Sequence, residues 1–212
     1  VIGYDVSQRV VDLLMAGQSH IQDVPGSAVQ AAVSAGLFVA TNVEPRLQEC
    51  DAISIAVPTP LSKTRDPDMA FVLAAADAII FGAPTYMGSV SADFKKFMDA
   101  SSKAWFASAW KDKLAAGFTN SGSQSGDKLN SLIQLMVFAN QQGMLWVSLG
   151  LMPGNNNSKG SVDDLNRLGS FSGAMAQSNV DQGAEGMLES DLKTAAHLGK
   201  RVAETALRYS RG

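Results

Sequence analysis

Two short runs of residues carry the groups best suited to ligand chemistry in this chain. Pro84–Gly88 reads Pro-Thr-Tyr-Met-Gly, and Thr119–Gly126 reads Thr-Asn-Ser-Gly-Ser-Gln-Ser-Gly. They supply backbone N–H groups, hydroxyls, amides and an aromatic ring, and their glycines let a backbone approach a ligand closely. Neither run holds a nucleophile beside an obvious base, so no catalytic residue is identified. The groups favour hydrogen bonding to a heteroaromatic ring, although each run alone is equally compatible with an ordinary surface turn.

The elements that position both runs alternate between short apolar and longer amphipathic segments. This alternation predicts an α/β fold: a doubly wound, mostly parallel sheet with helices on both faces, in three layers. Ligands of such sheets bind beyond the carboxyl ends of strands, so two of the strands are expected to lie side by side. These two are Ala78–Gly82 and Leu114–Thr119. The other predicted strands are Val1–Tyr4, Leu37–Ala40, Ala52–Val57 and Met144–Leu149.

The predicted helices lie between these strands and after the last of them. In the final helix, small and apolar residues from Leu192 to Ala206 form one stripe, which predicts close packing on the sheet. Residues 151–189 are rich in Gly, Ser, Asn and Gln, and we expect a long loop there. The helices are expected over Ser7–Met15, Pro25–Ala35, Asp66–Ala76, Ala92–Ser101, Asp127–Gln142 and Ser190–Tyr209.

Composition narrows the classes of partner. The 212 residues carry a net charge of −3, which gives no reason to expect nucleic acid or an anionic membrane as partner. No run is long and apolar enough to span a bilayer, and no signal peptide is visible. Cys50 is the single cysteine, so an internal disulfide is excluded and no metal site is predicted. A cytoplasmic location is expected, and the absence of an initiator Met suggests that something precedes Val1.

Residues 70–212 resemble the flavodoxin-like NAD(P)H:quinone oxidoreductases of the tryptophan-repressor-binding-protein family. The resemblance rests on three kinds of segment: the strand and turn Asp77–Gly88, the helical run Phe94–Asp99 with Trp105, and the stretch Lys113–Gln124 with Gln142–Met144. It implies a flavodoxin-like, Rossmann-like fold, FMN bound without a covalent link, NAD(P)H as co-substrate and a quinone as electron acceptor. The tetramers of this family suggest a homo-oligomer.

The resemblance also implies which residues hold the flavin. The backbone of Pro84, Thr85, Tyr86, Met87 and Gly88 would lie along the edges of the ring. The second run would contribute the rest of the cradle, and an aromatic side chain would lie beside the ring. These residues are Thr119, Asn120, Ser121, Gly122, Gln124, Gly126 and Trp105.

Two features depart from that family. Gln141-Gln142-Gly143-Met144 stands where relatives commonly have His-His-Gly-Met, which affects a contact to nicotinamide or quinone. The Ser- and Thr-containing loop that binds the FMN phosphate through backbone N–H groups is not found. Thr59, Ser62, Lys63 and Thr64 could replace it, but Pro58 and Pro60 remove N–H donors, and the alternative is an ordinary strand–helix turn.

Residues 1–69 instead resemble the NAD-binding domain of UDP-sugar 6-dehydrogenases, from its second strand onward. The resemblance rests on Val1–Asp5, Gly17–Pro25, Gly36–Thr41 and Asp51–Asp68. It implies that Asp5 contacts an adenosine ribose, yet the Gly-x-Gly-x-x-Gly turn that would hold the pyrophosphate is absent. The chain therefore resembles a chimera of two nucleotide-binding halves, which we expect to share one continuous sheet.

Three hypotheses remain open from the sequence. The chain is an FMN-dependent quinone reductase with an altered phosphate site, a nucleotide-binding module without catalysis, or a chimeric scaffold without a ligand. All three share the same fold, and a fold by itself does not determine function.

Overall fold

A computed structural model describes residues 1–5, 7–19, 24–49, 52–56 and 77–210 of the chain. The fold is α/β, as predicted. The strands are β1 (Ile2–Tyr4), β2 (Val39–Thr41), β3 (Ala52–Ala56), β4 (Ala78–Gly82), β5 (Thr85–Tyr86), β6 (Ser89–Val90), β7 (Leu114–Ser121), β8 (Leu145–Trp146) and β9 (Ala174–Gln177). The α-helices are α1 (Gln8–Met15), α2 (Gly26–Ser34), α3 (Ala92–Ala100), α4 (Ser102–Phe106), α5 (Lys128–Gln141) and α6 (Glu189–Tyr209), with 3₁₀ turns at Glu44–Glu49 and Ala184–Gly186.

A five-stranded parallel sheet forms the centre of the molecule. Its order is β3-β4-β7-β8, and β9 pairs with the carboxyl-terminal part of β7. Ala78–Gly82 pairs in parallel with Leu114–Phe118 over five residues. The prediction that these two strands lie side by side is therefore confirmed. Their carboxyl ends meet at one edge of the sheet, where ligands of such sheets bind.

Helices cover both faces of this sheet and give the expected three layers. On one face, α3, α4 and α5 pack around Phe81 of β4, whose ring lies 5.3 Å from that of Phe138. On the other face, Leu198 and Val202 of α6 pack against strands β4 and β7. Strands buried on both faces need no in/out alternation, which explains the uninterrupted apolar runs in the sequence.

The first two strands form a separate parallel pair, β1 with β2. Within the described residues no ladder joins this pair to the central sheet, so the expectation of one continuous sheet is corrected there. Ile2 and Tyr4 instead pack against the aromatic core beneath α3 and α5, which ties the pair to the rest through side chains. The expected helix 66–76 and the proposed domain boundary at 69–70 lie outside the described residues, as does Cys50.

The packing face of α6 differs from the predicted stripe. Leu192, Ala195 and Ala203 are exposed, whereas the buried face carries Asp191, Thr194, Leu198, Val202 and Ala206. Hydrogen bonds explain the difference. Asp191 and Thr194 are buried because residues of the preceding loop donate hydrogen bonds to their side chains. Part of the predicted loop 151–189 is also ordered as β9 and a 3₁₀ turn.

Candidate functional site

The first candidate run folds as a tight hairpin beyond β4. Thr85-Tyr86 pairs antiparallel with Ser89-Val90, and Met87 and Gly88 form the two-residue turn between them. Both turn residues have positive φ, 49° and 73°, as a type I′ turn requires. Gly88 adopts this conformation without cost, whereas Met87 does not. The turn presents a fully exposed Met87 and a half-exposed Tyr86 to solvent.

Buried hydroxyls connect this hairpin to the end of β7. Thr85 Oγ1 lies 2.7 Å from Thr119 Oγ1 and donates to Ser131 Oγ over 2.7 Å. A hydroxyl has one proton, so Thr119 is the donor to Thr85. Asn130 Nδ2, also on α5, donates to the carbonyl of Gly88 over 2.7 Å. The strand β7, the helix α5 and the hairpin are therefore one hydrogen-bonded unit.

Ser131 and Asn130 were not identified from the sequence. Their only sequence signal is position, because both lie in the first turn of a helix that follows a candidate loop. Serine and asparagine are common near helix starts for reasons unrelated to ligands, so the signal is weak.

The second candidate run is partly strand. β7 continues to Ser121 because β9 pairs with Phe118–Ser121. Thr119 therefore lies in the strand, as predicted, but Asn120 and Ser121 also lie in it and not in the predicted loop. Asn120 Nδ2 donates to Ser178 Oγ over 2.7 Å. Its Oδ1 is buried and has no hydrogen-bond partner. A buried amide oxygen without a partner is a position where a ligand donor would fit.

The remainder of the run, Ser121–Gly126, folds back on itself. Ser121 Oγ donates to the carbonyl of Ser123 over 3.1 Å. Gly126 has φ of 56°, and a Cβ there would stand 2.3 Å from Ser121 Oγ, so only glycine fits. A Cβ on Gly122 would likewise meet Val180 Cγ1 at 2.5 Å. Gln124 is exposed at the tip. Gly126 therefore permits the closed shape of the turn, and Gly122 permits the close approach of Val180.

A buried lysine supports this turn from below. Lys128, the first residue of α5, is fully buried, and its Nζ donates to Ser121 Oγ over 2.9 Å and to the Ser123 carbonyl over 2.5 Å. Burial lowers the pKa of Lys128 from its usual range, with Asp191 opposing and Arg167 adding to that shift. Lysine is rarely buried, so sequence reasoning had no reason to single it out.

A buried ion pair lies on the other side of this lysine. Arg167 donates to both carboxylate oxygens of Asp191, at 2.8 and 2.6 Å, in the bidentate geometry that suits these two groups. Asp191 also accepts from the backbone N–H of Gln177, whose side chain reaches the Gly122 carbonyl over 3.2 Å. This pair therefore fixes β9 and α6 next to the second turn.

An open groove of about 910 Å³ borders the second turn on its outer side. Gln124 and Asn130 line it together with Ile133, Phe171 and Met175. It therefore combines amide groups from the turn region with apolar side chains.

Two other predicted features have no described hydrogen bond to the two turns, and a third falls outside the described residues. Trp105 is half-exposed on α4, and no hydrogen bond or ring contact among the described residues links it to Thr85 or Thr119. Gln142 is buried, with its Nε2 donating to Ser101 Oγ over 2.8 Å and its Oε1 without a partner. The candidate phosphate residues Thr59, Ser62, Lys63 and Thr64 lie outside the described residues.

Comparison with known proteins gives two family matches that overlap over residues 69–86. Residues 69–154 match the NADPH-dependent FMN reductase model, and residues 1–86 match the NAD-binding domain of the UDP-glucose/GDP-mannose dehydrogenase family. The chain is 50% identical to flavodoxin FldP of Pseudomonas aeruginosa over 60% of its own length and 69% of that protein. The chain belongs to the flavodoxin family. Both resemblances found in the sequence are thereby confirmed.

A solved structure extends this flavodoxin likeness to nearly the whole chain. The WrbA-like flavodoxin of Agrobacterium tumefaciens is 36% identical, with a TM-score of 0.53 over 98% of this chain and 96% of that one. An NAD(P)H dehydrogenase (quinone) of Archaeoglobus fulgidus is 36% identical over 61% of this chain. The alignment covers 59% of that dehydrogenase, so the chain spans about three fifths to two thirds of these two curated relatives. No helix among the described residues has the length and apolarity needed to traverse a membrane.

Proposed function

We propose that this flavodoxin-family chain binds FMN at the ends of β4 and β7 and passes electrons from NAD(P)H to a quinone. One observation carries the proposal: buried hydroxyls of Thr85, Thr119 and Ser131 join the two turns into a single unit. That unit lies at the carboxyl edge of the sheet, where this class of fold binds its ligands. The curated relatives include NAD(P)H dehydrogenases that act on quinones, which supports the electron acceptor.

The residues present fit a flat ring with polar edges. Asn120 Oδ1 has no hydrogen-bond partner in the protein and can accept from an N–H of the ring. The hairpin turn presents backbone groups beside the exposed side chains of Tyr86 and Met87. We therefore assign direct contact to the backbone of Pro84–Gly88 and to Asn120, Gly122 and Gln124. Aromatic and apolar side chains cover ring faces while polar groups fix orientation.

Other predicted residues receive a supporting role. The hydroxyls of Thr119 and Ser121 are already bonded within the protein, and Gly126 permits the turn that Ser121 closes. Trp105 would reach the ring only as an aromatic neighbour from α4. When bound, FMN supplies the transfer of electrons, and the protein's part is to hold and orient the ring and tune its electronics.

The proposal has two further parts, an oligomeric state and a site for the FMN phosphate. The outward face of α5 exposes Leu129, Ile133 and Val137 at four-residue spacing, which supports a homo-oligomer. The FMN phosphate would be held by residues 59–64, whose two prolines limit the backbone donors available there.

The test is reconstitution with FMN. Protein mixed with excess FMN and then desalted is expected to stay yellow and to oxidise NADH or NADPH when a soluble naphthoquinone is added. Gly88→Val forces a β-branched side chain into positive φ at the hairpin and is expected to lose flavin retention at least tenfold. Gly36→Val is the matched control, because Gly36 also has positive φ, 67°, and no atom close to its added Cβ.

Complete flavin loss by the unmodified protein would reject the proposal, and equal retention in both variants would show that the ring binds elsewhere. The alternative is NAD binding through the amino-terminal segment, which its dehydrogenase-like match supports. There Asp5 Oδ1 accepts from the Ser7 backbone N–H over 2.8 Å, which leaves its other oxygen for a ribose. Quenching of tryptophan fluorescence by NAD but not by FMN would favour this alternative.

A further inference from the structure

The buried lysine beneath the second turn has a charge that its own surroundings do not neutralise. Lys128 bonds to two neutral acceptors, the Ser121 hydroxyl and the Ser123 carbonyl. The carboxylate of Asp191 is taken by Arg167 and by the Gln177 backbone. No carboxylate lies within ion-pair distance of Lys128 among the residues that the structure describes. Two cations and one carboxylate leave the cluster with one net positive charge.

Such an arrangement is costly in a protein that has no ligand. Burying an ammonium group without a charged partner is unfavourable, and a neutral side chain of similar length would fill the same space without that penalty. The position of the charge is specific, because the ammonium touches both ends of the Ser121–Ser123 bend in the turn proposed to hold the flavin. The cost is offset if the site takes a ligand whose negative charge the lysine stabilises.

We propose that Lys128 is a positioning residue of the flavin site, holding the Ser121–Gly126 turn closed and favouring the more negatively charged form of the bound flavin. The inference rests on the proposed function. The two hydrogen bonds carry the first role, and the uncompensated charge carries the second. A positive charge whose atoms are covered by protein is screened much less than an exposed one.

Three variants separate these two roles. Lys128→Met removes both the hydrogen bonds and the charge, Lys128→Gln keeps donor groups without the charge, and Lys128→Arg keeps the charge. Lys113→Met is the matched control, because Lys113 has a pKa lowered by burial too and lies at the opposite end of β7. Folding of each variant is checked by circular dichroism before use.

The first readout needs no flavin. Amide hydrogen exchange over residues 121–126 is expected to be at least tenfold faster in Lys128→Met, and unchanged in Lys113→Met. The second readout is the midpoint potential of bound FMN. Lys128→Met and Lys128→Gln are expected to lose about tenfold in preference for the reduced form, a fall of about 30 mV for a two-electron couple. Lys128→Arg is expected to retain the potential.

The outcomes are distinguishable. Wild-type exchange rates in Lys128→Met would overturn the holding role, and a wild-type potential in both neutral variants would overturn the charge role. If Lys128→Met does not fold, Lys128→Gln against Lys128→Arg decides the charge role, and Lys128→Leu, which also has no donor group, takes the place of Lys128→Met in the exchange measurement. Failure of the unmodified protein to bind FMN would reject the proposed function and the charge role with it, while the exchange measurement would still decide the holding role.

Discussion

At the scale of single residues, the hydroxyl of Thr85 connects three elements of the candidate site. Its side chain is buried and bonds to one hydroxyl on β7 and one on α5. Threonine-to-valine exchange keeps the shape and removes both bonds. The hydroxyls left behind, on Thr119 and Ser131, then each lack a partner in a region without access to water.

We predict that Thr85→Val lowers the free energy of unfolding by about 1–3 kcal/mol, the cost of leaving buried polar groups unsatisfied. Urea denaturation measures it. The double variant Thr85→Val with Thr119→Val is expected to recover part of the loss, because it removes one of the orphaned hydroxyls. A loss below about 0.5 kcal/mol in the single variant would show that the bonds contribute little.

Met87 combines an unfavourable backbone conformation with an exposed side chain. Met87 has a φ of 49°, which is an unfavourable backbone conformation for methionine. Its fully exposed side chain has no packing in the protein without ligand that would offset this cost. Asparagine adopts this conformation more easily, and Asn-Gly is the preferred pair for such a turn.

Met87→Asn is therefore expected to stabilise the protein without FMN by up to about 1 kcal/mol, since left-handed backbone costs ordinary residues about 1–2 kcal/mol. Met87→Leu, which keeps the apolar side chain, is expected to give no such gain. Thermal unfolding of both variants is the measurement. A lower stability for Met87→Asn would mean that the exposed side chain has packing that the backbone argument omits.

At the scale of elements, the sequence was sufficient to predict β4 and β7, the two strands that position the candidate site. The apolar runs at 78–82 and 114–119 have no polar interruption and predicted buried parallel neighbours, which is what β4 and β7 are. The antiparallel hairpin at 85–90 was not predicted, because a Met in the turn lacks the usual Asn or Asp signal.

The packing face of α6 could not be predicted from the sequence. Ser190, Asp191 and Thr194 are buried because their partners lie far away in the sequence: Asp191 bonds to Arg167, and Thr194 accepts from the Asn166 backbone over 2.9 Å. Hydropathy assigns such residues to the solvent side. Only the tertiary contacts reverse that assignment.

The Arg167–Asp191 pair is the main polar link between the irregular segment before β9 and α6. Breaking one partner of a buried pair leaves an uncompensated charge, so Asp191→Asn is expected to cost about 3–5 kcal/mol. The double variant Arg167→Met with Asp191→Leu is expected to be much closer to wild type. Denaturant titration of all three proteins tests this, and equal losses in the single and double variants would contradict it.

At the scale of the whole molecule, the two segments that match different families pack against each other. β3 belongs to the amino-terminal match and pairs with β4 over five residues, while Ile2 and Tyr4 pack on the aromatic cluster below α3 and α5. The amino-terminal segment and the rest of the chain are therefore joined both by a strand pair and by side-chain packing.

We therefore predict a single cooperative unfolding transition. Tryptophan fluorescence reports on Trp105, Trp110 and Trp146, which all lie in residues 70–212, whereas far-ultraviolet circular dichroism reports on helices throughout. Their denaturation midpoints are expected to coincide, and Tyr4→Ala is expected to shift both together. Two separate midpoints would show that the amino-terminal part unfolds independently.

Strand β7 has a divided edge: Leu114 and Ala115 pair with β8, and Phe118–Ser121 pair with β9. The backbone of Gly173 comes close to Gly117 between these two partners, since a Cβ there would stand 2.2 Å from the Gly117 carbonyl oxygen. Residues 147–173 connect β8 to β9. This connection therefore leaves the sheet beside β7 and returns to it beside the same strand. A change in the length of residues 147–173 is therefore expected to leave both registers, and with them the turns at the ends of β4 and β7, in place.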